Sequence, residues 1–418
     1  MGRTVHIIGA GLAGLSAAVR LAQSPATVIV HEATRQAGGR CRSYADAATG
    51  LTIDNGNHLL LSGNRAALDY LGTIGSASHL VGPAGAQFPF VDLATGNRWT
   101  IEVNDGRIPW WIFDSARRVP GTSPGDYLAM ARLLWAPADK TISDVLPCQG
   151  ALYDRLVHPL LLAALNIDPR EGSAMLAGAV IRETLAAGGR ACRPLVARDG
   201  LGPAFIEPAL EFLRARNATV RFEHELRGLT LEAGGATALD FGSDKVAIAG
   251  DDAVIVAVPA YAAKSLLPGL DPPSTFRAIA NAHFRVAPPK DFPPLLGVVN
   301  GTVEWIFAFP NRLSVTISAA DRLMDTPREA LARTIWSEVA RISGLPDELP
   351  PWQIVRERRA TFAATPAENA KRPPARTAWR NLVLAGDWTA TGLPATIEGA
   401  IRSGHRAAQC VMQAPSKS

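Results

Sequence analysis

The chain has 418 residues, of which 47% are hydrophobic and 19% are charged, so it can bury a large core. Its 42 basic and 38 acidic residues give a formal net charge of +4 without a dense basic run, which argues against nucleic acid as a partner. An anionic membrane surface stays compatible with this charge. We expect two interleaved domains rather than three independent ones.

The cysteines and the apolar segments argue against a metal-binding protein, a secreted protein and a protein that spans the membrane. Cys41, Cys148, Cys192 and Cys410 show no zinc or redox spacing, so we predict buried free thiols in a reducing cytoplasm and no metal site. The first residues lead straight into a strand and offer no signal peptide. No apolar run reaches the roughly 18 residues of a membrane span. We therefore expect a cytoplasmic protein that can still contact the inner face of the cell membrane.

The first predicted elements are a strand over residues 5–8 and the helix that follows it. The loop between them is a G-x-G-x-x-G motif. Gly9 permits a tight turn, Gly11 lets the backbone approach a pyrophosphate, and Gly14 lets the helix pack on the sheet. Leu12 and Ala13 open this helix, whose N-terminus faces the phosphates. The pattern predicts a dinucleotide site.

The second predicted strand, over residues 27–30, leads to Glu32. An acid at this position can accept hydrogen bonds from both hydroxyls of an adenosine ribose, so it fits the unphosphorylated ribose of FAD or NAD. These features alone do not separate FAD from NAD.

Two further motifs favour FAD over NAD. Glu32 begins E-x5-G-G-R, and residues 54–58 read Asp-Asn-Gly-Asn-His. Both motifs resemble those of the flavin amine oxidase and carotenoid desaturase superfamily, in which they line FAD. The resemblance implies FAD contacts at Gly39, Arg40, Asn57 and His58.

The middle of the chain, residues 198–262, is predicted to hold a helix and three strands, the last of them buried near residues 251–258. By the resemblance, Leu226 supplies a backbone contact to adenine. The proline-rich residues 259–294 are predicted to form irregular connections. Three strands between residues 295 and 318 and a helix over residues 327–343 follow.

Near the C-terminus, an apolar run over residues 382–385 precedes Gly386 and Asp387. By the resemblance, Asp387 approaches the ribityl and diphosphate region of the cofactor. The next helix is expected to begin near the isoalloxazine, at Ala395, Thr396 and Ile397.

These elements predict an α/β fold of the amine oxidase type, with a Rossmann-like FAD-binding domain interleaved with an α+β substrate domain. Residues 1–75, 198–262 and 375–412 are assigned to the FAD-binding domain. The substrate and membrane-facing domain takes residues 76–197 and 263–374.

A closer resemblance covers nearly the whole chain. Residues 54–63, 358–366 and 384–404 resemble hydroxysqualene dehydroxylases, FAD-dependent enzymes of bacterial hopanoid synthesis. The resemblance implies removal of the hydroxyl of hydroxysqualene with two electrons from reduced flavin, which gives squalene. One departure is Asn57, where the family is expected to have Gln.

The chemistry requires a general acid, because hydroxide is a poor leaving group. His58 is the first candidate, with a purely structural role in its turn as the alternative, and Asn57 beside it is a second candidate catalytic residue. His283 is the runner-up, although a satisfied core histidine is the more ordinary interpretation, and Asp54 is interpreted as a turn anchor. Cys41 is interpreted as a packed residue, so FAD is expected to bind non-covalently. The electron donor stays unknown, since only one glycine fingerprint is evident.

An isoprenoid lipid substrate implies contact with a bilayer. Aromatic residues concentrate at residues 108–113, and a helix predicted over Pro124–Trp135 carries an apolar face. The predicted face is formed by Tyr127, Leu128, Ala131, Leu134 and Trp135. It could anchor the protein at the interface or pack on the substrate domain.

Three functions compete at this stage. The first is reductive dehydroxylation of hydroxysqualene, and the second is oxidation by a carotenoid desaturase-like or amine oxidase-like enzyme. A non-enzymatic flavin-binding protein is the third. Amine oxidation is disfavoured because the C-terminal flavin segment lacks paired aromatics, although Trp388 supplies one.

Overall fold

The computed structural model describes residues 3–232, 234–242 and 244–413. Its strands, in chain order, are β1 (Thr4–Ile8), β2 (Thr27–His31), β3 (Ser43–Asp46), β4 (Leu51–Asp54), β5 (Leu60–Leu61), β6 (Leu80–Val81), β7 (Ala86–Asp92), β8 (Arg98–Val103), β9 (Pro194–Ala197), β10 (Thr219–Arg221), β11 (Gly228–Glu232), β12 (Gly235–Asp240), β13 (Lys245–Ala247), β14 (Ala253–Val256), β15 (Phe276–Phe284), β16 (Leu295–Val299), β17 (Trp305–Phe309), β18 (Arg312–Ile317), β19 (Trp352–Phe362) and β20 (Leu382–Leu384). Its α-helices are α1 (Leu12–Leu21), α2 (Arg65–Thr73), α3 (Pro124–Leu128), α4 (Ile142–Val145), α5 (His158–Leu165), α6 (Ala174–Glu183), α7 (Gly189–Cys192), α8 (Glu207–Arg214), α9 (Ala260–Leu266), α10 (Arg328–Ser343), α11 (Pro366–Ala370) and α12 (Ile397–Met412).

The first layer of the fold is a five-stranded parallel sheet in the order β10-β2-β1-β14-β20. The central strands β1 and β14 are almost fully buried, as expected for a parallel sheet covered on both faces. Helices α1 and α12 pack against each other on this sheet, where Gly404 lies against the first turn of α1. We propose that this sheet and its helices form the FAD-binding domain with the boundaries assigned above.

A seven-stranded sheet forms the second layer, in the order β19-β15-β18-β17-β16-β7-β8. All neighbours are antiparallel except β16 and β7. One face packs aliphatic side chains against α10, whose buried residues include Ile335 and Trp336. The other face is turned toward residues 54–58, and we call it the turn side of the sheet. The two layers together give the predicted mixed α/β architecture.

Two predictions of local structure are wrong. The proline-rich residues 259–294 were expected to be irregular, yet they contain α9 and the nine-residue strand β15, which lies between the proline pairs. The predicted helix over Pro124–Trp135 is α-helical only to Leu128 and continues as a 3₁₀ helix, Ala129–Trp135.

The 3₁₀ conformation splits the predicted apolar face. A 3₁₀ helix has three residues per turn, so residues three apart share a face. Tyr127, Met130 and Leu133 are buried at this spacing, whereas Leu128 and Trp135 are exposed. The prediction assumed a period of 3.6 residues and therefore grouped buried with exposed side chains.

Candidate flavin site

The first glycine loop connects β1 to α1 and is shaped by two close backbone approaches. Gly9 has a φ of +105°, and a Cβ on Gly14 would lie 1.9 Å from the Gly9 carbonyl oxygen. Gly11 differs from both, because a Cβ built there meets no described atom within 4 Å. The fold therefore requires glycine at positions 9 and 14, while Gly11 borders open space at the N-terminus of α1.

The second glycine turn lies directly against the first. The Gly38 amide donates to the Ala10 carbonyl at 2.8 Å, and a Cβ on Gly39 would lie 3.5 Å from the Gly11 Cα. Gly38 and Gly39 have positive φ angles, +107° and +55°, which favour glycine. The first and second glycine turns, which are distinct motifs in the sequence, thus lie side by side at the start of α1, where Leu12 and Ala13 are the first helical residues.

Glu32 ties the two loops together through its carboxylate. Oε2 accepts from the Ala10 amide at 2.8 Å, and Oε1 accepts from the amide and hydroxyl of Thr34. A carboxylate offers about four acceptor positions, so capacity remains for a ribose hydroxyl. Leu226 is buried close by, two residues beyond His224, whose amide donates to the Glu32 carbonyl at 2.9 Å.

Arg40 and Asp387 form an ion pair that joins the N-terminal and C-terminal motifs. Arg40 Nη2 lies 2.7 Å from Asp387 Oδ2, and the Arg40 side chain also donates to the Ala360 carbonyl. Asp387 is 6% exposed, and its charge raises the pKa of Arg40. The two sequence motifs predict both residues at the cofactor site but carry no signal that they pair.

Arg372 is a buried cation that sequence analysis missed. Its Nη2 donates to the Asp387 carbonyl at 3.0 Å and to the Thr391 hydroxyl at 2.7 Å. Burial lowers its pKa to about 10. The run Lys371-Arg372-Pro373-Pro374 marks it only as a basic residue before a proline turn, so no local signal distinguishes it.

Gly386 and the start of α12 form the other wall of the candidate site. Gly386 has a φ of +148°, and its amide donates to Ser403 Oγ on α12 at 2.8 Å. Thr396 caps α12 by accepting from the Gly399 amide at 3.0 Å, with Ala395 before it and Ile397 as the first helical residue. The N-terminus of α12 therefore carries partial positive charge, as that of α1 does.

Trp388 is a structural residue rather than part of an aromatic cage. It is 3% exposed, and its indole donates to the Val258 carbonyl at 2.9 Å. A Cβ on Gly386 would lie 2.3 Å from the Trp388 indole nitrogen, so the Trp388 ring leaves no room for a side chain there.

The 54–58 turn is fixed on both sides by buried hydrogen bonds. Asp54 Oδ1 accepts from the Leu201 amide at 2.8 Å and from the Ser43 hydroxyl, as expected of a turn anchor. His283 bonds to the Asp54 carbonyl at 3.1 Å and to Ser314 Oγ at 2.9 Å. His283 is fully buried, and desolvation lowers its pKa to about 3, so its neutral ring is a satisfied core group.

Asn57 points toward the seven-stranded sheet. Its Nδ2 donates to the Thr316 hydroxyl at 3.2 Å and to the Val315 carbonyl at 3.3 Å. Its Oδ1 is buried and has no hydrogen-bond partner among the described residues. An unpaired buried carbonyl is costly, which makes Asn57 a candidate for ligand contact.

His58 is held in one tautomer. Its Nδ1 lies 2.9 Å from the Gly56 carbonyl oxygen, so Nδ1 carries the proton and Nε2 of the neutral ring is an acceptor. Burial lowers the pKa of His58, while the Gly56 carbonyl and Asp54 partly oppose this shift. His58 can donate a proton from Nε2 only in its imidazolium form.

Cys41 packs inside the nucleotide-binding core. It is 7% exposed, and burial raises its pKa to about 12, so the thiol is neutral at physiological pH. The described residues contain no cluster of His, Cys, Asp and Glu suited to a metal ion. No helix in the described ranges is long and apolar enough to cross a membrane.

These residues fit a flavin dinucleotide. Open space borders Gly11, and the N-terminus of α1 beside it suits a diphosphate. The Glu32 carboxylate keeps acceptor capacity at one end of this space.

The comparisons with known proteins agree with this geometry. The family described as flavin containing amine oxidoreductase matches residues 12–412. Among solved structures, a redesigned putrescine oxidase superposes with a TM-score of 0.72 at 17% identity, covering 99% of each chain. Cyclohexylamine oxidase from Brevibacterium oxydans gives a TM-score of 0.70 at 17% identity, covering 98% of this chain and 99% of the other. At such identities the two structures establish the fold.

Closer relatives are similar along their whole length. A hydroxysqualene dehydroxylase from Rhodopseudomonas palustris is 63% identical over 415 residues, 99% of each chain. One from Sinorhizobium fredii is 60% identical over 99% of each chain. A third, from Zymomonas mobilis, is 47% identical over 97% of this chain and 98% of its own. The chain therefore belongs to the flavin-containing amine oxidoreductase family and, within it, to the group of hydroxysqualene dehydroxylases.

Proposed function

We propose that the protein catalyses FAD-dependent reductive dehydroxylation of hydroxysqualene to squalene, in the synthesis of hopanoids and related triterpenoids. The observation that carries the proposal is identity of 47–63% over nearly the full chain to relatives named for this reaction. The combination of two apposed glycine turns with the Arg40–Asp387 pair supports a flavin cofactor for it.

FAD is bound without a covalent link. Glu32 and Leu226 would hold the adenosine end, the glycine turns and the N-terminus of α1 would hold the diphosphate, and the N-terminus of α12 would face the ring system. Arg40 and Asp387, which pair across the two ends of the chain, would both contact the cofactor. When bound and reduced, the flavin would supply a hydride, which carries both electrons of the reduction. The buried neutral thiol of Cys41 supports non-covalent binding.

The chain itself must bind the alcohol and deliver a proton to its oxygen. We assign proton delivery to His58 Nε2, in the imidazolium form that the Gly56 hydrogen bond leaves free to donate there. Since burial lowers the pKa of His58, the reacting form gains population as the pH falls. Dehydroxylation should therefore accelerate toward lower pH until the fold itself weakens.

The oxidative alternatives find little support in the site. The aromatic residue that could have served an amine cage, Trp388, is buried and bonded to Val258. The donor of electrons to the flavin stays open, and a diffusible reductant or a partner protein would serve.

An anaerobic reaction tests the proposal. Reduced holoenzyme mixed with hydroxysqualene should regain the oxidised flavin spectrum and release squalene, identified by mass spectrometry. His58→Gln should slow this reaction while FAD stays bound, whereas Arg35→Gln, at an exposed ion pair, should not change it. Failure of hydroxysqualene to reoxidise the flavin, together with bleaching of oxidised enzyme by a carotenoid precursor or an amine, would overturn the assignment.

The lipid substrate also implies docking at the inner face of the cell membrane. Five exposed apolar side chains lie on two segments that are joined where Trp111 packs edge-on against Tyr127 at 5.1 Å. These residues, which we call the aromatic surface, are Ile108, Trp110, Phe113, Leu128 and Trp135. Exposed Arg107 and Arg132 suit an anionic headgroup layer beside it.

Co-sedimentation with anionic liposomes tests the docking. The holoenzyme should pellet at low salt, and Trp110→Glu with Trp135→Glu should leave it in the supernatant without lowering the melting temperature. Phe222→Glu, at an exposed aromatic elsewhere on the surface, is the matched control. Trp111 is excluded from these variants because it is 4% exposed and belongs to the core. Unchanged pelleting of the double variant would remove the aromatic surface from membrane binding.

A further inference from the structure

Residues from seven strands form one continuous row on the turn side of the seven-stranded sheet. Residues directly opposite each other on neighbouring strands point to the same face, so the pairing register defines the row. Its members, from β19 to β8, are Val355, Asn281, Thr316, Trp305, Gly297, Phe90 and Trp99. The row brings together residues that are distant in the sequence.

The chemical character of the row changes abruptly in its middle. On one side, the Thr316 hydroxyl donates to Asn281 Oδ1 at 2.8 Å and accepts from Asn57 Nδ2 of the turn. On the other side, Phe90 stacks on Trp99 at 5.6 Å and meets Trp305 edge-on at 5.5 Å. Gly297 makes room for this cluster, since a Cβ there would lie 2.4 Å from the Phe90 ring.

The next row toward the end of the sheet repeats the division. His283 and Ser314 pair on β15 and β18, whereas Phe307 and Leu295 follow on β17 and β16. The boundary between polar and apolar side chains therefore runs between β18 and β17. The apolar part extends over four strands, about 14 Å at a strand spacing near 4.8 Å.

Two residues that adjoin Thr316, its strand neighbour Trp305 and its hydrogen-bond partner Asn57, each carry an unpaired polar atom. Trp305 Nε1 is a buried donor without an acceptor, and Asn57 Oδ1 is a buried acceptor without a donor among the described residues. Thr316 itself is only partly buried although its strand is in the middle of the sheet. An alcohol oxygen both accepts and donates a hydrogen bond, so one hydroxyl matches both unpaired atoms.

We infer that this boundary recognises the hydroxyl of the substrate, with Trp305 Nε1 donating to its oxygen and Asn57 Oδ1 accepting from it. The inference rests on the proposed function and names the residues that distinguish substrate from product. Squalene lacks the hydroxyl, so it leaves both polar atoms unpaired and binds more weakly.

Equilibrium binding to oxidised holoenzyme, in detergent micelles, tests the inference without turnover. Perturbation of the flavin absorbance reports the affinity for hydroxysqualene and for squalene. Wild type should prefer the alcohol, and Trp305→Phe should weaken alcohol binding roughly 5- to 30-fold while squalene affinity stays within about twofold. Trp336→Phe is the matched control, because that indole N–H is also buried and unpaired but lies on the α10 side of the sheet.

The outcomes separate the inference from the function on which it rests. Equal affinity of wild type for the two lipids, or equal losses for both lipids in Trp305→Phe, overturns the inference. The methyl ether of hydroxysqualene provides a test that needs no variant, since it can accept from Trp305 but cannot donate to Asn57, and it should bind wild type more weakly than the alcohol. If reduced wild type forms no squalene, the proposed function fails, whatever the binding results.

Discussion

The nucleotide-binding layer and the turn side of the seven-stranded sheet build their sites in different ways. In the first, short motifs carry the geometry: Gly9, Gly11 and Gly14 shape one loop, and Gly38 and Gly39 shape the loop beside it. In the second, the 54–58 motif supplies only Asn57, and the row of residues that faces it arises from the register of seven strands. Local backbone geometry therefore shapes the first site, whereas the second depends on the pairing of strands that are distant in the sequence.

The largest expected effect is a loss of stability when Gly14 is replaced by alanine, whereas the same replacement at Gly11 should leave the stability nearly unchanged. Gly14→Ala places a Cβ 1.9 Å from the Gly9 carbonyl, so we expect a loss of about 3–5 kcal/mol in the free energy of unfolding. Gly11→Ala meets nothing described within 4 Å and should change apoprotein stability by less than about 0.5 kcal/mol. Denaturant unfolding of the two apoproteins measures both values.

Cofactor titration completes that comparison. Gly11→Ala should weaken FAD binding by roughly tenfold or more, because the added methyl group enters the space beside the diphosphate. Tight FAD binding by this variant would remove Gly11 from the site. A stable Gly14→Ala apoprotein would contradict the close helix approach.

A pH titration compares one buried histidine from each layer. His31 on β2 is stacked between His6 and His224, and burial followed by these neighbours lowers its pKa to about 3. Burial also lowers the pKa of His283 to about 3. A depressed histidine pKa gives stability that is complete above the unfolded value near 6.5 and is lost as the pH falls toward 3.

At pH 5 each of these histidines should have lost about 1–2 kcal/mol of its contribution to the free energy of unfolding. Melting curves from pH 8 to pH 4 should show this decline, and His31→Gln or His283→Gln should flatten it. Asp244 and Asp252 favour protonation in the His31 cluster, while Arg221 opposes it. A melting temperature that stays constant down to pH 4 would contradict the assignment of neutral buried rings.

The smallest expected effect concerns the ion pair that joins the two ends of the chain. Arg40→Met leaves the Asp387 carboxylate buried without its cation, but the Arg40 side chain is 41% exposed, so we expect a loss of only about 1–2 kcal/mol. Arg35→Met, at a pair that is mostly exposed, should cost less than about 0.5 kcal/mol. Thermal unfolding of the apoproteins checks both, and equal losses would show that burial of Asp387 adds nothing.

Sequence analysis predicted most of the nucleotide-binding layer because its signals are local. The strand, glycine loop and helix at residues 4–21 follow from neighbouring residues alone, whereas the helix that begins at Ile397 is an expectation from the family resemblance. The pairing of Arg40 with Asp387 could not be predicted, since it joins residues 347 positions apart. The row through Thr316 and Trp305 was beyond reach for the same reason, because strand register is set only when the sheet assembles.

Helix α12 lies so close to α1 that a Cβ on Gly404 would sit 2.1 Å from the Ala13 carbonyl oxygen and from Ser16 Oγ. The first helix of the cofactor site therefore finds its neighbour only after nearly 400 further residues have been made. At synthesis rates of about 5–20 residues per second, the emerging chain waits roughly 20–80 s for this contact. Until then the nascent N-terminal part exposes the apolar face that α12 later covers. Ribosome-bound chains that still lack α12 should consequently leave the cofactor site incomplete.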